Sequence, residues 1–267
     1  MKRSISEFEL LRLADLNRTE FWCESSRCVP GTEIVEQQDT VFINSSIDFP
    51  ACNFAFNMSL DAVEPPADFL TRAKVFFVNR KQTFSLLLRG HCDQAIIEHC
   101  KDNKIYLMHA APGMVIDGPI KGKALPPGAK LSWVENKTEL QDFTQVVAEA
   151  FHGLGFPEEA TEKYFADTKR VISPHQILAV VYLNGEPAAA AHALLSHGIA
   201  GIYWVGSIKK ARGLGLAAYC TREVGNAAFD LGARKVILQA SKFGEPIYRK
   251  MGYREITRYP WFICSSK

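Results

Sequence analysis

Apolar residues in the second half of the chain recur at helical spacing up to about position 171 and in short continuous runs after it. In LQDFTQVVAEAFHGLG, Leu140, Phe143 and Val147 stand three or four residues apart, and two glycines close the stretch. This pattern predicts an amphipathic helix with a glycine end. The next stretch, EEATEKYFADTKRVI after Pro157, begins with acids and ends with bases, as a helix dipole favours, and it predicts a second helix.

Three apolar runs follow, namely ILAVVYL, AAAAHALL and IAGIYWVGSI. The turn signals Asn184-Gly185 and His197-Gly198 separate them, which predicts an antiparallel meander. Beyond the meander we expect a glycine loop, a helix in LAAYCTREVGNAAFDLG, a strand in KVILQAS, a short helix in GEPIYRKMG and a last strand in YREITRYPWFIC. The pattern therefore predicts a mixed α+β fold.

The first half of the chain repeats part of this order, with a helix in PADFLTRAKVFFVNR, a strand in TFSLLLRG, a helix in CDQAIIEHCKD and a strand in IYLMHAAPGMVI. It carries DAVEPPA where the second half has its glycine loop, and Pro65 and Pro66 lack the N–H groups that an anion-binding turn offers. A duplicated fold whose first copy has no phosphate loop is one interpretation, and chance β/α alternation is the other. Because GPIKGKALPP interrupts both patterns, we divide the chain into domains 1–125 and 126–267.

Composition narrows the class of protein. With 47% hydrophobic and 22% charged residues, and 31 Lys+Arg against 29 Asp+Glu, the 267-residue chain matches globular averages and excludes collagen-like, coiled-coil and disordered classes. No apolar run reaches the ~18 to 20 residues of a membrane span, so we expect a cytoplasmic protein without a membrane partner. The seven cysteines are odd in number and scattered, which indicates reduced thiols.

Metal and nucleic-acid sites are not expected. His91-Cys92 and His99-Cys100 have no second pair at ligand spacing, so the sequence predicts no metal. No basic helix carries interleaved aromatic residues, so it predicts no nucleic-acid partner. Cys220 has no neighbouring histidine and is interpreted as an apolar filler.

The glycine loop, residues 210–217, is the strongest chemical signal. Glycines allow a close backbone approach, and the free N–H groups at a helix start favour phosphate oxygens. Residues 205–258 hold 11 bases and 4 acids, a net charge of +7, which suits an anionic ligand. A turn that only packs a helix onto a sheet is the alternative. A nicotinamide site would need an acid at the end of KVILQAS, which has none, and no G-K-[ST] of a nucleoside-triphosphate loop follows.

The residues around this loop, VGSIKKARGLG from Val205 to Gly215, resemble the acetyl-CoA motif of the GNAT N-acetyltransferase superfamily, usually V-x-x-x-x-[QR]-x-x-G-x-[GA]. Lys210 stands where Gln or Arg is usual. LQAS and PIYRKMGY downstream resemble the next strand and helix of that superfamily, with Tyr248 four residues before Gly252. The resemblance covers about residues 130–267. It implies a GNAT fold, with a central mixed, mostly antiparallel sheet and flanking helices, preceded by a degenerate GNAT-like domain.

The resemblance also implies acetyl-CoA as co-substrate and direct attack by an amine, without an acyl-enzyme. Backbone at Val205 and Ser207 would pair with the pantetheine arm, and the N–H of Val205 or a neighbour would stabilise the oxyanion. Tyr248 is the implied acid for the leaving thiolate, although a packing role is the alternative. The implied cofactor-binding residues are Val205, Ser207, Lys210, Ala211, Arg212, Gly213, Leu214, Gly215, Leu216, Ala217 and Ser241.

A general base is harder to assign, because residues 199–208 contain no carboxylate, whereas family members often place Glu on this strand. His192, His197 or a water chain could serve, although a lone histidine in an apolar strand is often a core residue. Glu159 and Glu162 could line the acceptor site or lie on a solvated helix face.

The leading hypothesis is therefore an N-acetyltransferase acting on a small-molecule or peptide amine. Its first domain would shape the acceptor cleft or form a homodimer surface. A non-catalytic acyl-CoA sensor or interaction module is the main alternative, and a nicotinamide-dependent oxidoreductase is a third.

Overall fold

The computed structural model describes residues 5–37, 39–61 and 64–265. Its helices are α1 (Glu7–Arg27), α2 (Pro66–Val78), α3 (Gln94–Asp102), α4 (Lys137–His152), α5 (Glu158–Tyr164), α6 (Thr168–Val171), α7 (Leu216–Asp230) and α8 (Glu245–Lys250). Its strands are β1 (Glu33–Gln37), β2 (Thr40–Asn44), β3 (Phe54–Asn57), β4 (Phe84–Leu87), β5 (Tyr106–Ile116), β6 (Ala129–Trp133), β7 (Gln176–Leu183), β8 (Glu186–Ser196), β9 (Ile199–Ser207), β10 (Val236–Gln239) and β11 (Arg254–Cys264).

The chain forms two compact units, and each is assembled from separated segments. The first unit contains the described residues up to 28 together with 114–254, and the second contains 29–113 together with the described residues from 255 onward. The linear boundary expected between 125 and 126 does not describe these units. The physical reason is long-range pairing, because β11 hydrogen-bonds to β4 and α1 packs on β8 and β9.

The sheet of the first unit has the strand order β10-β9-β8-β7-β6. The pairs from β6 to β9 are antiparallel, and β9 pairs with β10 in parallel. Both expected turns have positive φ at their two central residues, with Asn184 at 53°, Gly185 at 90°, His197 at 54° and Gly198 at 75°. This is the backbone that a tight hairpin requires, and the predicted meander is confirmed.

Helices α4 and α7 pack on the sheet of the first unit. The alanine-rich strand β8 is buried along its middle, over residues 188–194. Its small side chains let the helices approach the sheet closely. Gly206 of β9 serves the same purpose, since a Cβ there would lie 2.5 Å from Ala150 Cβ on α4.

The second unit has the strand order β1-β2-β3-β4-β11, with a parallel pair between β3 and β4 and antiparallel pairs elsewhere. Helix α2 connects the parallel pair, as α7 connects β9 and β10. The core of the second unit is rich in phenylalanine, and its fully buried residues include Phe69, Phe77, Phe84 and Phe262. The two units therefore share the β-α-β arrangement expected from the internal repetition.

Two helices differ from expectation. The single helix expected over residues 158–172 is broken into α5 and α6, because the Asp167 side chain accepts the N–H groups of Lys169 and Arg170 and starts a new helix there. The sequence did not predict helix α1, because charged residues occur in every turn of this segment and interrupt an apolar face. Among the described helices, none is both long enough and apolar enough to cross a lipid bilayer.

Candidate functional site

The first unit contains an opening between two neighbouring strands. β9 and β10 pair in parallel at Ala200–Val236, Gly201–Ile237 and Ile202–Leu238. Within the described strands the pairing ends there, and the remainder of β9 pairs only with β8. An edge of β9 from Tyr203 onward thus carries backbone groups that β10 does not use.

A β-bulge lies next to this opening. The register of β9 against β8 shifts between Ala190 and His192, and Trp204 adopts the left-handed region with φ of 48°. Trp204 and Val205 have no register partner along the described part of β8, whereas Ser207 pairs with Ala189. Bulges redirect backbone and side chains beside functional sites. Val205 therefore lies at the break in the ladder, where a backbone donor was expected.

The glycine loop joins this strand to helix α7. Lys209–Ala211 form a short 3-10 helix, and Gly213 and Gly215 follow with φ of 80° and 76°. The first helical bond of α7 runs from the Tyr219 N–H to the Gly215 carbonyl, so the amides of residues 216–218 precede it. No described atom lies within 4 Å of a Cβ built on either glycine. The loop thus presents open backbone at a helix start.

Two of the amides expected to bind pyrophosphate are already used within the loop. The Ala211 N–H donates to the Ile208 carbonyl at 3.0 Å, and the Arg212 N–H donates to the Lys209 carbonyl at 3.4 Å. Amides available to an anion therefore begin at Gly213 and continue through Leu214 to Ala217. The Lys210 and Arg212 side chains are exposed beside them. Glu149 of α4, which sequence reasoning missed, fixes the loop by accepting the Lys209 N–H at 2.7 Å.

A basic cavity of about 410 Å³ adjoins the start of α7. Residues 120–126, the first turns of α7 and the end of α8 line it, and its charged residues are Lys121, Lys123, Arg222 and Lys250. None of the described lining residues is an acid. This composition suits a phosphorylated ligand of nucleotide size.

The segment before β6 is fixed against α7 and forms one wall of this cavity. Asn226 bonds Ile120 twice, accepting its N–H at 2.8 Å and donating to its carbonyl at 3.0 Å. Arg222 donates to the Lys123 carbonyl at 2.9 Å. From the sequence alone, this segment is predicted only to be a domain boundary. Its lysines indicate that it could bind an anion, but only the tertiary structure brings them to the start of α7.

Tyr248 lies on α8 and is 9% exposed. Burial raises its pKa to about 12, and a hydrogen bond with Thr221 of α7 opposes that shift. The phenol is therefore protonated at neutral pH, as an acid must be. Its neighbour Tyr253, at a ring distance of 5.8 Å, has a buried hydroxyl without a partner in the described structure. Ser241 accepts the Gly244 N–H with its hydroxyl at 3.1 Å, so it stabilises the turn into α8.

The two histidines predicted as candidate general bases have different surroundings, since His192 is buried and His197 is exposed. His192 is 2% exposed against Phe21, and burial lowers its pKa to about 3. Such a ring is neutral at pH 7 and holds a proton only weakly. His197 occupies the turn before β9, and about 20 Å of strand separates Ile199, where β9 begins, from Val205. Glu159 is exposed and pairs with Lys163 at 2.8 Å, and Glu162 is exposed as well.

Within the part of the chain that the structure describes, no group of three or more His, Cys, Asp or Glu side chains could hold a metal ion. None of the described cysteines forms a disulfide bond, and Cys220 is buried with its thiol directed to the Ala179 carbonyl.

These features together define the GNAT fold, with strands that separate beside a glycine loop at a helix start. Solved structures with this fold match nearly the whole chain. No protein-family model matches the sequence, and no curated protein matches it.

A GCN5-related N-acetyltransferase from Kribbella flavida is 17% identical, with a TM-score of 0.73, and the match covers 95% of this chain and 94% of that one. A GCN5-related N-acetyltransferase from Sphaerobacter thermophilus is 15% identical, with a TM-score of 0.65 and coverage of 87% and 82%. A tandem GNAT protein from the clavulanic acid biosynthesis pathway is 10% identical, with a TM-score of 0.62 and coverage of 95% and 88%. At these identities the similarity concerns the fold, which is confirmed for both halves of the chain.

Proposed function

We propose that the first unit is an acetyl-CoA-dependent N-acetyltransferase that acts on a small-molecule or peptide amine. The observation that carries the proposal is the separation of β9 from β10 after Ile202 and Leu238, directly beside a glycine loop at the start of α7. An extended thioester arm fits an open strand edge, and a diphosphate fits free helix amides. The basic cavity next to α7 suits the phosphorylated nucleoside at the other end of the molecule.

The residues of the chain would hold this co-substrate in three places. The amides from Gly213 to Ala217 would bind the diphosphate, and the lysines and Arg222 of the cavity would bind the remaining phosphate. The free edge of β9 at Val205 and Ser207 would align the pantetheine arm. Acetyl-CoA, when bound, supplies an activated acetyl thioester to the amine.

Acetyl transfer forms a carbon–nitrogen bond, breaks the carbon–sulfur bond and moves one proton from nitrogen to sulfur. Tyr248 would hold the proton for the sulfur at its phenolic oxygen, because its raised pKa keeps it protonated. The backbone N–H at Val205 would stabilise negative charge on the acetyl oxygen. The amine would release its proton through water, since His192 is buried with a lowered pKa.

Calorimetry with acetyl-CoA tests the binding half of the proposal. We expect micromolar affinity that weakens as salt increases, because the partners are phosphates and exposed cations. The double variant Lys121→Ala, Lys123→Ala should weaken binding by several-fold, in keeping with ~0.2–1 kcal/mol for each exposed ion pair. Lys130→Ala, an exposed lysine of β6, is the matched control. Absence of acetyl-CoA binding by the unaltered protein would overturn the proposal.

Release of free thiol from acetyl-CoA across a panel of amines tests the chemistry. Tyr248→Phe should reduce kcat by about 10²-fold, at the lower end of the contribution of general acid catalysis, with acetyl-CoA affinity retained. Tyr253→Phe is the control, because it removes a neighbouring hydroxyl that has no partner in the described structure. Equal rates in the two variants would remove Tyr248 from the mechanism.

A non-catalytic acyl-CoA sensor is the second candidate. It is favoured by the lack of a carboxylate on β9 together with the lowered pKa of His192. A sensor would bind acetyl-CoA with the same dependence on Lys121 and Lys123 but would release no thiol with any amine. The two assays together therefore separate the candidates.

A further inference from the structure

Helix α1 belongs to the first unit, although the second unit separates it in sequence from the strands it covers. Asn17 and Phe21 lie one helical turn apart on the same face of α1. Both are buried, with Asn17 at 0% exposure. A polar side chain so deeply buried must satisfy its hydrogen bonds within the protein.

Asn17 satisfies them with β8 and β9. Its Nδ2 donates to the Leu194 carbonyl at 3.1 Å and to the Ser196 hydroxyl at 2.7 Å, and its Oδ1 accepts the Tyr203 hydroxyl at 2.7 Å. Phe21 stacks on the Tyr203 ring with centroids 3.6 Å apart and an angle of 6°. Helix α1 therefore fixes both the hydroxyl and the ring face of Tyr203.

Strand β9 is shaped for this contact. Gly201 leaves room for it, because a Cβ at that position would lie 2.1 Å from Asn17 Oδ1 and 2.5 Å from the Tyr203 hydroxyl. Neither atom could keep its place beside an alanine, so the glycine and the two polar side chains form one arrangement.

Tyr203 lies at the point where β9 becomes irregular. It is the first residue after the last pair with β10, and it precedes Trp204 in its left-handed conformation. Such a conformation is unfavourable for a bulky residue and persists only where the surroundings hold it in place. Trp204 itself packs against Phe151 at a ring distance of 4.9 Å and against Phe21 and Trp22 of α1 at 6.4 Å. The contacts of Tyr203 with α1 add a restraint on the residue directly before the bulge.

We propose that Asn17 and Phe21 are positioning residues for acetyl transfer, which hold Tyr203 and thereby the bulge that presents the Val205 backbone. This inference rests on the proposed function. If Tyr203 were released, Trp204 could relax toward regular strand geometry, and the Val205 N–H would turn away from the acetyl oxygen. The glycine loop and the basic cavity would remain intact, so the chemical step should suffer more than co-substrate binding.

The experiment compares Asn17→Ala, Tyr203→Phe and their combination, with kcat and acetyl-CoA Kd measured for each. We expect each single variant to lower kcat about tenfold, with Kd changed by less than threefold. The combination should be no worse than Asn17→Ala alone, because Asn17→Ala already removes the hydrogen bond that Tyr203→Phe removes. Phe21→Leu, which keeps apolar volume but loses the stacked ring, should also lower kcat.

Tyr182→Phe is the matched control. It removes another hydrogen bond between a strand tyrosine and a helix of the same unit, the partly buried bond from the Tyr182 hydroxyl to Asp142 Oδ2 at 2.6 Å. Its kcat should equal that of the unaltered protein, although its stability falls. If Asn17→Ala and Tyr203→Phe behave like Tyr182→Phe, the inference is wrong while the proposed function stands. If the unaltered protein binds acetyl-CoA but releases no thiol, the proposed transferase function itself fails.

Discussion

Substitution of Gly215 by alanine tests whether the glycine loop binds the diphosphate. The same substitution at another left-handed glycine of this unit should have a similar backbone cost without changing the loop. Gly215 has φ of 76°, and no described atom lies within 4 Å of a Cβ built there. The added methyl therefore meets no protein atom beyond its neighbours in the chain, and the cost is that of a left-handed L-residue, about 1–2 kcal/mol. Gly185, in the turn between β7 and β8, has φ of 90° and equally open surroundings.

The two variants should therefore lose similar stability but differ in ligand binding. Gly215→Ala and Gly185→Ala should each lower the free energy of unfolding by about 1–2 kcal/mol in urea. Only Gly215→Ala places a methyl group where we expect the diphosphate, and it should weaken acetyl-CoA binding by tenfold or more, which is about 1.4 kcal/mol. Calorimetry with acetyl-CoA measures this difference. Equal affinities in the two variants would refute the placement of the diphosphate at Gly215.

Two further predictions concern stability. Burial lowers the pKa of His192 from 6.5 to about 3, so the unfolded chain binds a proton between these values that the folded protein does not. The contribution of His192 to the free energy of unfolding should thus fall as the pH is lowered from 6.5 toward 3, by at most about 1.4 kcal/mol per pH unit. His192→Phe should lose this contribution, and identical pH slopes for the variant and the unaltered protein in urea titrations would contradict it. Asp93 forms a buried ion pair with Arg89 at 2.8 Å. Asp93→Ala should cost about 3–5 kcal/mol because the guanidinium loses its buried partner, against at most about 1 kcal/mol for Glu33→Ala in the exposed pair with Arg80. Similar midpoints for both variants would show that burial does not govern these pairs.

The candidate site was predictable where its signal is local. The φ preferences of glycine and the free amides of a helix start are properties of a few consecutive residues, so the loop at Gly213 and Gly215 could be identified from the sequence. The sequence could not show which amides of the loop remain free, because the 3-10 helix at Lys209–Ala211 uses the amides of Ala211 and Arg212. The candidate base His192 has a suitable ordinary pKa, and its burial against Phe21, which lowers that pKa, follows only from the tertiary structure.

The sequence by itself determined the meander and its turns and the helix after the glycine loop, and it offered the β-α-β repetition as one of two interpretations. Each follows from hydrophobic period and turn chemistry, which act between residues close in the chain. Tertiary structure alone decided that β11 joins the second unit, that α1 restrains Tyr203, and that Lys121 and Lys123 reach the start of α7. These arrangements depend on hydrogen bonds and packing between segments far apart in sequence, and no local pattern records which distant segment will provide the partner.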